Sequence, residues 1–163
     1  MPPRRPFVSQ CAAAALRNAG ITAPPVSVQV LAAYYAITLV PVSGWPDSAH
    51  GQWQPTLREI RFRAEDAEVR QRFSICHEIG HIVLGHDPLT FSSSVDPESY
   101  DYAEDEGKAR EREADQFASE VLLPPPWVRA DWSRGLRWKE LTVRYRASTQ
   151  AVGIAVDQLR LVG

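Results

Sequence analysis

The chain has 163 residues, a formal net charge of -2, and 44% hydrophobic and 23% charged residues. These values are ordinary for one compact domain with a real core, and they argue against a surface that is basic enough overall to coat nucleic acid. No apolar run approaches the roughly 20 residues that a bilayer-spanning helix needs.

The N-terminal segment contains arginines followed by a small-residue stretch, which weakly resembles a signal peptide. An Ala-rich amphipathic helix over 9–19 is the better interpretation, with Ser9 as its N-cap and Gly20 just past its end. The two cysteines, Cys11 and Cys76, are far apart and form no CxxC pair, so no disulfide framework or cysteine zinc site is indicated. We therefore predict a cytosolic protein that does not enter the membrane.

A small sheet is predicted after a second helix. Residues 27–36 carry apolar groups at helical spacing, and Ser27 is placed to cap that helix. Residues 37–42 and 57–63 read as strands that flank a turn or hairpin region, and the proline at position 41 favours a place near a sheet edge. Such an edge could pair with an extended peptide.

The HEIGH run at residues 77–81 is the motif that carries chemistry. It lies in a predicted helix that starts at Glu65 or Asp66 and runs to about Leu84, with Gly85 ending it. Positions i and i+4 share one face of a helix, so His77 and His81 can bind one ion and form two corners of a tetrahedral zinc site. Glu78 beside them can hold a water molecule at the metal and act as general base. Cys76 is expected to be a small buried residue.

A long polar loop over 87–104 follows, then a helix over 105–123 that stops at a run of three prolines. A loop of that length beside a site is typical of a lid or binding loop, or of a linker. The tail, 127–163, is predicted as two short helices, the second capped by Ser148. Several arginines make the segment 129–146 basic, which solvated helix faces explain better than a patch for an acidic partner.

A catalytic zinc site needs a third protein ligand. His86 does not fit the HExxHxxGxxH pattern, so we interpret it as a surface histidine. Glu111 is the favoured ligand, because Asp115 one turn later could accept the N–H of a ligating histidine. Glu113 is expected to be solvated, and it and the other acids of this helix stay open as weaker alternatives.

Two segments resemble the ImmA/IrrE family of zinc metallopeptidases: RQRFSICHEIGHIVLGH at 70–86 and EREADQFASEVLLPP at 111–125. The resemblance implies an α+β, mostly helical, zincin-like metallopeptidase domain with a small β-sheet, as a single domain over 1–163. Residues 1–126 would form its core and 127–163 a helical extension packed on it. The resemblance also implies these roles: Zn2+ ligands His77, His81 and Glu111, general base Glu78, and Asp115 at a position where the family usually has asparagine or aspartate.

The implied function is a zinc-dependent endopeptidase with few substrates. The resemblance points to a helix-turn-helix repressor as the protein substrate, often encoded nearby on a phage or mobile element, whose cleavage derepresses genes. The donor that would stabilise the oxyanion stays open among Tyr100, Tyr102 and His50. The alternative function is a non-proteolytic binding module, a toxin or antirepressor, with a structural or vestigial zinc site. Direct DNA binding through the basic tail is the weakest interpretation, and no nucleic-acid partner is expected.

Overall fold

A computed structural model of the protein describes residues 2–86 and 102–162, without the side chains of residues 102–105. Within these ranges the chain forms seven helices and three strands, which confirms the α+β, mostly helical fold. In chain order the elements are α1 (Arg5–Asn18), α2 (Val28–Tyr34), β1 (Thr38–Val42), β2 (Gly51–Gln54), β3 (Glu59–Arg63), α3 (Glu68–Val83), α4 (Tyr102–Leu122), α5 (Pro125–Ser133), α6 (Trp138–Tyr145) and α7 (Thr149–Gln158).

The sheet has the order β1-β3-β2, with β1 parallel and β2 antiparallel to β3. The turn region between β1 and β3 therefore contains a short strand that forms a hairpin with β3. Pro41 lies in β1, an edge strand, where its missing N–H costs no ladder hydrogen bond. Ile60, the second residue of β3, is fully buried and packs the sheet against the helices.

Helices α3 and α4 pack closely and form the centre of the main hydrophobic cluster, which α1, α2 and β3 complete. The approach is closest at Gly80, where an added Cβ would lie only 3.0 Å from Cδ1 of Phe117. Phe117 is fully buried, and its ring packs directly against the backbone of α3 at Gly80. This contact places the HEIGH run of α3 directly against the first half of α4.

The tail has its own hydrophobic cluster, to which α5, α6 and α7 contribute. The prediction of two helices after residue 127 was wrong, because the first of them is divided into α5 and α6 at Gly135, whose φ of 98° ends the helix, whereas α7 starts behind Ser148 as predicted. Arg72 of α3 donates to the carbonyl oxygens of Tyr145 and Arg146, so the main body also contacts the tail. The single-domain interpretation stays a prediction.

Capping was predicted correctly at Ser27 and Ser148, whose hydroxyls accept from the backbone N–H three residues on. It was wrong at Ser9, because α1 begins four residues earlier with a proline in its first turn. Asp66 does not cap α3 either, since its carboxylate accepts from Arg63 and binds His50 instead.

The remaining boundaries differ by only a few residues, as helix and strand ends commonly do. The strand predicted over 57–63 starts at Glu59, and α4 starts at Tyr102 rather than at residue 105. The predicted loop over 87–104 otherwise lies outside the described residues. No described helix combines the length and apolar character that crossing a membrane requires.

Candidate metal centre

Three side chains converge where α3 meets α4. His77 and His81 lie one turn apart on α3, with their Nε2 atoms 3.0 Å from each other. Glu111 of α4 places Oε2 3.1 Å from Nε2 of His77 and Oε1 3.1 Å from Nε2 of His81. Tetrahedral zinc bound at about 2.1 Å spaces its ligand atoms about 3.3 Å apart, so these three donors already have the required spacing. They form a His-His-Glu group that could hold a metal ion.

The outer nitrogens of both histidines are engaged, which fixes which nitrogen faces the cluster. Nδ1 of His77 lies 2.8 Å from Oδ1 of Asp115, a carboxylate that can only accept when ionised. When His77 is neutral, as a metal ligand must be, its Nδ1 proton points at Asp115 and its Nε2 lone pair points at Glu111. Lone pairs and a carboxylate repel one another unless a cation lies among them. The residues present thus fit a divalent metal with two imidazole ligands and one carboxylate ligand.

The pKa values of His77 and Glu111 also indicate that positive charge is stabilised between these residues. Burial lowers the pKa of His77, but the hydrogen bonds to Asp115 and Glu111 raise it to about 10. Burial raises the pKa of Glu111, but hydrogen bonds from the two histidines lower it far below its usual range. The carboxylate is therefore anionic at neutral pH and available to a cation.

Glu78 lies against the sheet and is close enough to the three converging donors to interact with their charges. A Cβ on Gly51, the first residue of β2, would lie 3.3 Å from Cγ and 3.5 Å from Oε1 of Glu78. The glycine thus leaves the room that this carboxylate occupies. Burial raises the pKa of Glu78, although the neighbouring histidines lower it. A raised pKa suits a group that must take up a proton during a reaction.

Two residues near the candidate ligands are buried, although the sequence analysis predicted both to be exposed to solvent. His86 was interpreted as a surface histidine, yet it is 7% exposed, and its Nδ1 lies 2.8 Å from Nδ1 of His81. Glu113 was expected to be solvated, yet it is 3% exposed and lies 2.8 Å from Nε2 of His86. Both expectations were wrong because each group is buried with a polar partner, which removes most of the cost of burial.

Glu113 is also held by Arg4, which precedes α1. The Arg4 side chain contributes bonds of 3.1 and 2.8 Å, and its backbone N–H a further bond of 2.8 Å. These bonds lower the pKa of Glu113 to about 2, although burial opposes them. Burial lowers the pKa of His86, although Glu113 raises it. The result is a buried chain of contacts from Arg4 through Glu113 and His86 to His81.

The sequence analysis did not predict this series of buried contacts, because it assumed that α4 has a single buried face. In the structure α4 packs against α3 on one side and against α1 on another. The face opposite Glu111, which carries Glu113, is therefore covered by the start of α1. The available signal was the pairing of an additional histidine after the motif with an additional acid on the next helix.

Of the three candidates for the oxyanion donor, only His50 has a side chain that the structure describes. Tyr100 and the side chain of Tyr102 lie outside the described residues. His50 immediately precedes Gly51, and its Nδ1 lies 2.8 Å from Asp66. That contact holds the ring beside the strand that faces Glu78.

A small mixed sheet, a helix with paired histidines and a second helix that supplies a carboxylate define the class of zincin-like metallopeptidase domains. The family model Peptidase_M78, described as the IrrE N-terminal-like domain, matches residues 32–157. The chain belongs to this family. The family supports a regulatory, metallopeptidase-like domain and confirms the resemblance found in the sequence.

Among solved structures, the chain is similar to a Mycobacterium tuberculosis transcriptional regulator, at 21% identity with a TM-score of 0.67. The match covers 90% of this chain and 44% of the regulator, so this chain spans less than half of that protein's length. At this identity the likeness shows the fold. The curated proteins contained no match.

Proposed function

We propose that this chain is a zinc-dependent endopeptidase that cleaves a specific protein partner. The observation that supports this most is the convergence of His77, His81 and Glu111 with Glu78 beside them. A purely structural site has no need of a partly buried carboxylate next to its ligands. A zinc ion held by these three residues would lower the pKa of a bound water and polarise the substrate carbonyl.

Glu78 is the general base in this proposal. Its carboxylate lies against Gly51 of β2 and interacts with the charges of His77 and His81, so it can accept a proton from the attacking water. It can then return that proton to the leaving amine of the cleaved peptide bond. Its raised pKa favours both transfers, because a carboxylate that binds protons more tightly is a better base and still a usable acid.

Strand β2 is the edge along which we expect an extended substrate to lie. It pairs with β3 on one side, and in the described part of the chain no strand pairs with its other side. Its first residue, Gly51, is next to Glu78. Backbone hydrogen bonds to such an edge would align the scissile bond with the base and the metal, as in peptide recognition by strand addition.

The partner we propose is a helix-turn-helix transcriptional repressor whose cleavage derepresses genes. The family's regulatory character supports this, and so does the similarity to a protein named as a transcriptional regulator. Most basic side chains of the tail have partners within the protein, among them Arg134 and Arg144 on Asp131 and Arg146 on Glu68. The tail therefore gives little support for direct binding to DNA.

The test uses purified protein loaded with one zinc per chain and the helix-turn-helix regulator encoded nearest to it. The wild type is expected to cut the regulator at one position, and Glu78→Gln is expected to bind zinc equally well without cutting. Equal cutting by Glu78→Gln would contradict the role of this residue. A stable complex that forms without cleavage, unchanged in Glu78→Gln, would instead favour the binding-module alternative.

A further inference from the structure

His86 lies beside the candidate metal centre and has polar contacts on both sides of its ring. Its ring touches a ligand histidine on one side and a buried carboxylate on the other. Nε2 of His86 lies 2.8 Å from Oε2 of Glu113, and Nδ1 lies 2.8 Å from Nδ1 of His81. A neutral imidazole carries a proton on only one of its two nitrogens. The direction of the hydrogen bond at Nε2 therefore determines the direction of the hydrogen bond at Nδ1.

Glu113 can only accept in these bonds. Three bonds from Arg4 hold it as a carboxylate, and an ionised carboxylate has no proton to donate. Nε2 of His86 must therefore carry the proton that it shares with Glu113. In a neutral ring the other nitrogen, Nδ1, is then an acceptor.

The acceptor on His86 in turn sets the tautomer of His81. Nδ1 of His81 must donate to it, so the lone pair of His81 resides on Nε2, which faces Glu111 and His77. The side chain of His81 is only 3% exposed, so a water molecule cannot easily replace His86 as the acceptor of its Nδ1 proton. His77 obtains its orientation differently, from a carboxylate that is more than half exposed.

We infer that His86, anchored by Glu113 and Arg4, orients His81 as a metal ligand by accepting its Nδ1 proton. The two ligand histidines are therefore supported unequally. Asp115 supports His77 from the surface, whereas a buried histidine and carboxylate support His81 from the interior. The inference rests on the proposed metal site, and it adds residues from the start of α1 and the end of α3 to that site.

The test separates the two sides of the His86 ring. The oxygen of His86→Asn occupies nearly the position of Nδ1 and can still accept from His81, whereas His86→Gln presents its amide near Nε2 and keeps only the bond to Glu113. His86→Leu keeps neither bond. Zinc Kd is measured by competition with a chromophoric chelator, after circular dichroism has shown that each variant is folded.

We expect the zinc Kd to rise about 10- to 100-fold in His86→Leu and His86→Gln, and to stay within about threefold of wild type in His86→Asn. Glu113→Gln is expected to weaken zinc binding less, because its amide oxygen can still accept. Glu120→Gln is the matched control, since Glu120 is on the same helix and accepts a bond from Ser9 of α1. It should leave the zinc Kd unchanged.

Equal zinc affinity in wild type and His86→Gln would overturn the inference, as would equal loss in His86→Asn and His86→Gln. If His86→Leu does not fold, the comparison of the asparagine and glutamine variants still decides. A wild-type protein that binds no zinc would contradict the proposed function itself, which distinguishes the two failures.

Discussion

Gly80 sets the distance between the two helices that supply the candidate metal ligands, and Gly80→Ala tests this directly. The added Cβ would lie 3.0 Å from Cδ1 and 3.1 Å from Cβ of Phe117. Carbon atoms pack at about 3.5–4.0 Å, so α4 must retreat by roughly 0.5 Å or more. Rotation of the ring cannot relieve the clash, because the Cβ of Phe117 is fixed to its backbone.

Two opposing terms set the expected loss of stability. Overpacking of a buried contact costs about 1–3 kcal/mol, whereas alanine is about 1 kcal/mol better than glycine inside a helix. Gly80→Ala should therefore lower the free energy of unfolding by about 1 kcal/mol. Retreat of α4 also moves Glu111 by more than the roughly 0.2 Å that metal–ligand distances tolerate, so zinc Kd should rise about tenfold or more.

The matched control is Gly153→Ala, in the middle of α7, where an added Cβ would meet nothing within 4 Å. This variant should gain about 0.5–1 kcal/mol from helix propensity alone and keep its zinc affinity. Urea unfolding of zinc-free protein and chelator competition measure the two quantities. If Gly80→Ala gains as much stability as Gly153→Ala and binds zinc normally, the close approach of the helices does not control the site.

Two further substitutions test single contacts. Asp115→Ala should raise zinc Kd about 10- to 100-fold, and Asp115→Asn should recover much of that loss because its amide oxygen can accept from His77; equal Kd values in chelator competition would contradict this role. Asp131→Asn should cost about 2–3 kcal/mol in urea unfolding at pH 6, because Asp131 is buried and binds Tyr145 and two arginines. Burial raises the pKa of Asp131, but these bonds lower it below its usual value, so the stabilisation is complete above about pH 4 and is lost as the pH falls through the folded-state pKa. A difference between wild type and variant that persists unchanged at pH 3 would refute this account.

The sequence predicted the convergence of the candidate metal ligands well, because that part of the site depends on local geometry. His77, Glu78 and His81 lie within one helical turn and a third, and the 3.6-residue period alone puts both histidines on one face. The choice of Glu111 and Asp115 was also local, since their spacing along one helix gives one carboxylate for the metal and one for a histidine. The structure brings all of these residues together.

The sequence did not predict the buried contacts of His86 and Glu113, because these contacts depend on which helix covers which face of α4. Nothing local to His86 or Glu113 distinguishes a solvated side chain from a buried one. Only the packing of α1 against α4 brings Arg4 to Glu113, across 109 positions of the chain. The number of tail helices was predicted wrongly for a related reason, since the break at Gly135 between α5 and α6 is a backbone turn that apolar periodicity does not mark.

Periodicity and spacing by themselves determined that two histidines lie one turn apart on a helix, that a second helix carries Glu111 and Asp115, and that a small sheet accompanies them. Tertiary structure alone decided that Gly80 lets the helices meet, that β2 flanks Glu78, and that His81 is supported from the interior. The physical reason is that helix periodicity acts over a few residues. Burial of polar groups is settled only when distant segments supply their hydrogen-bond partners.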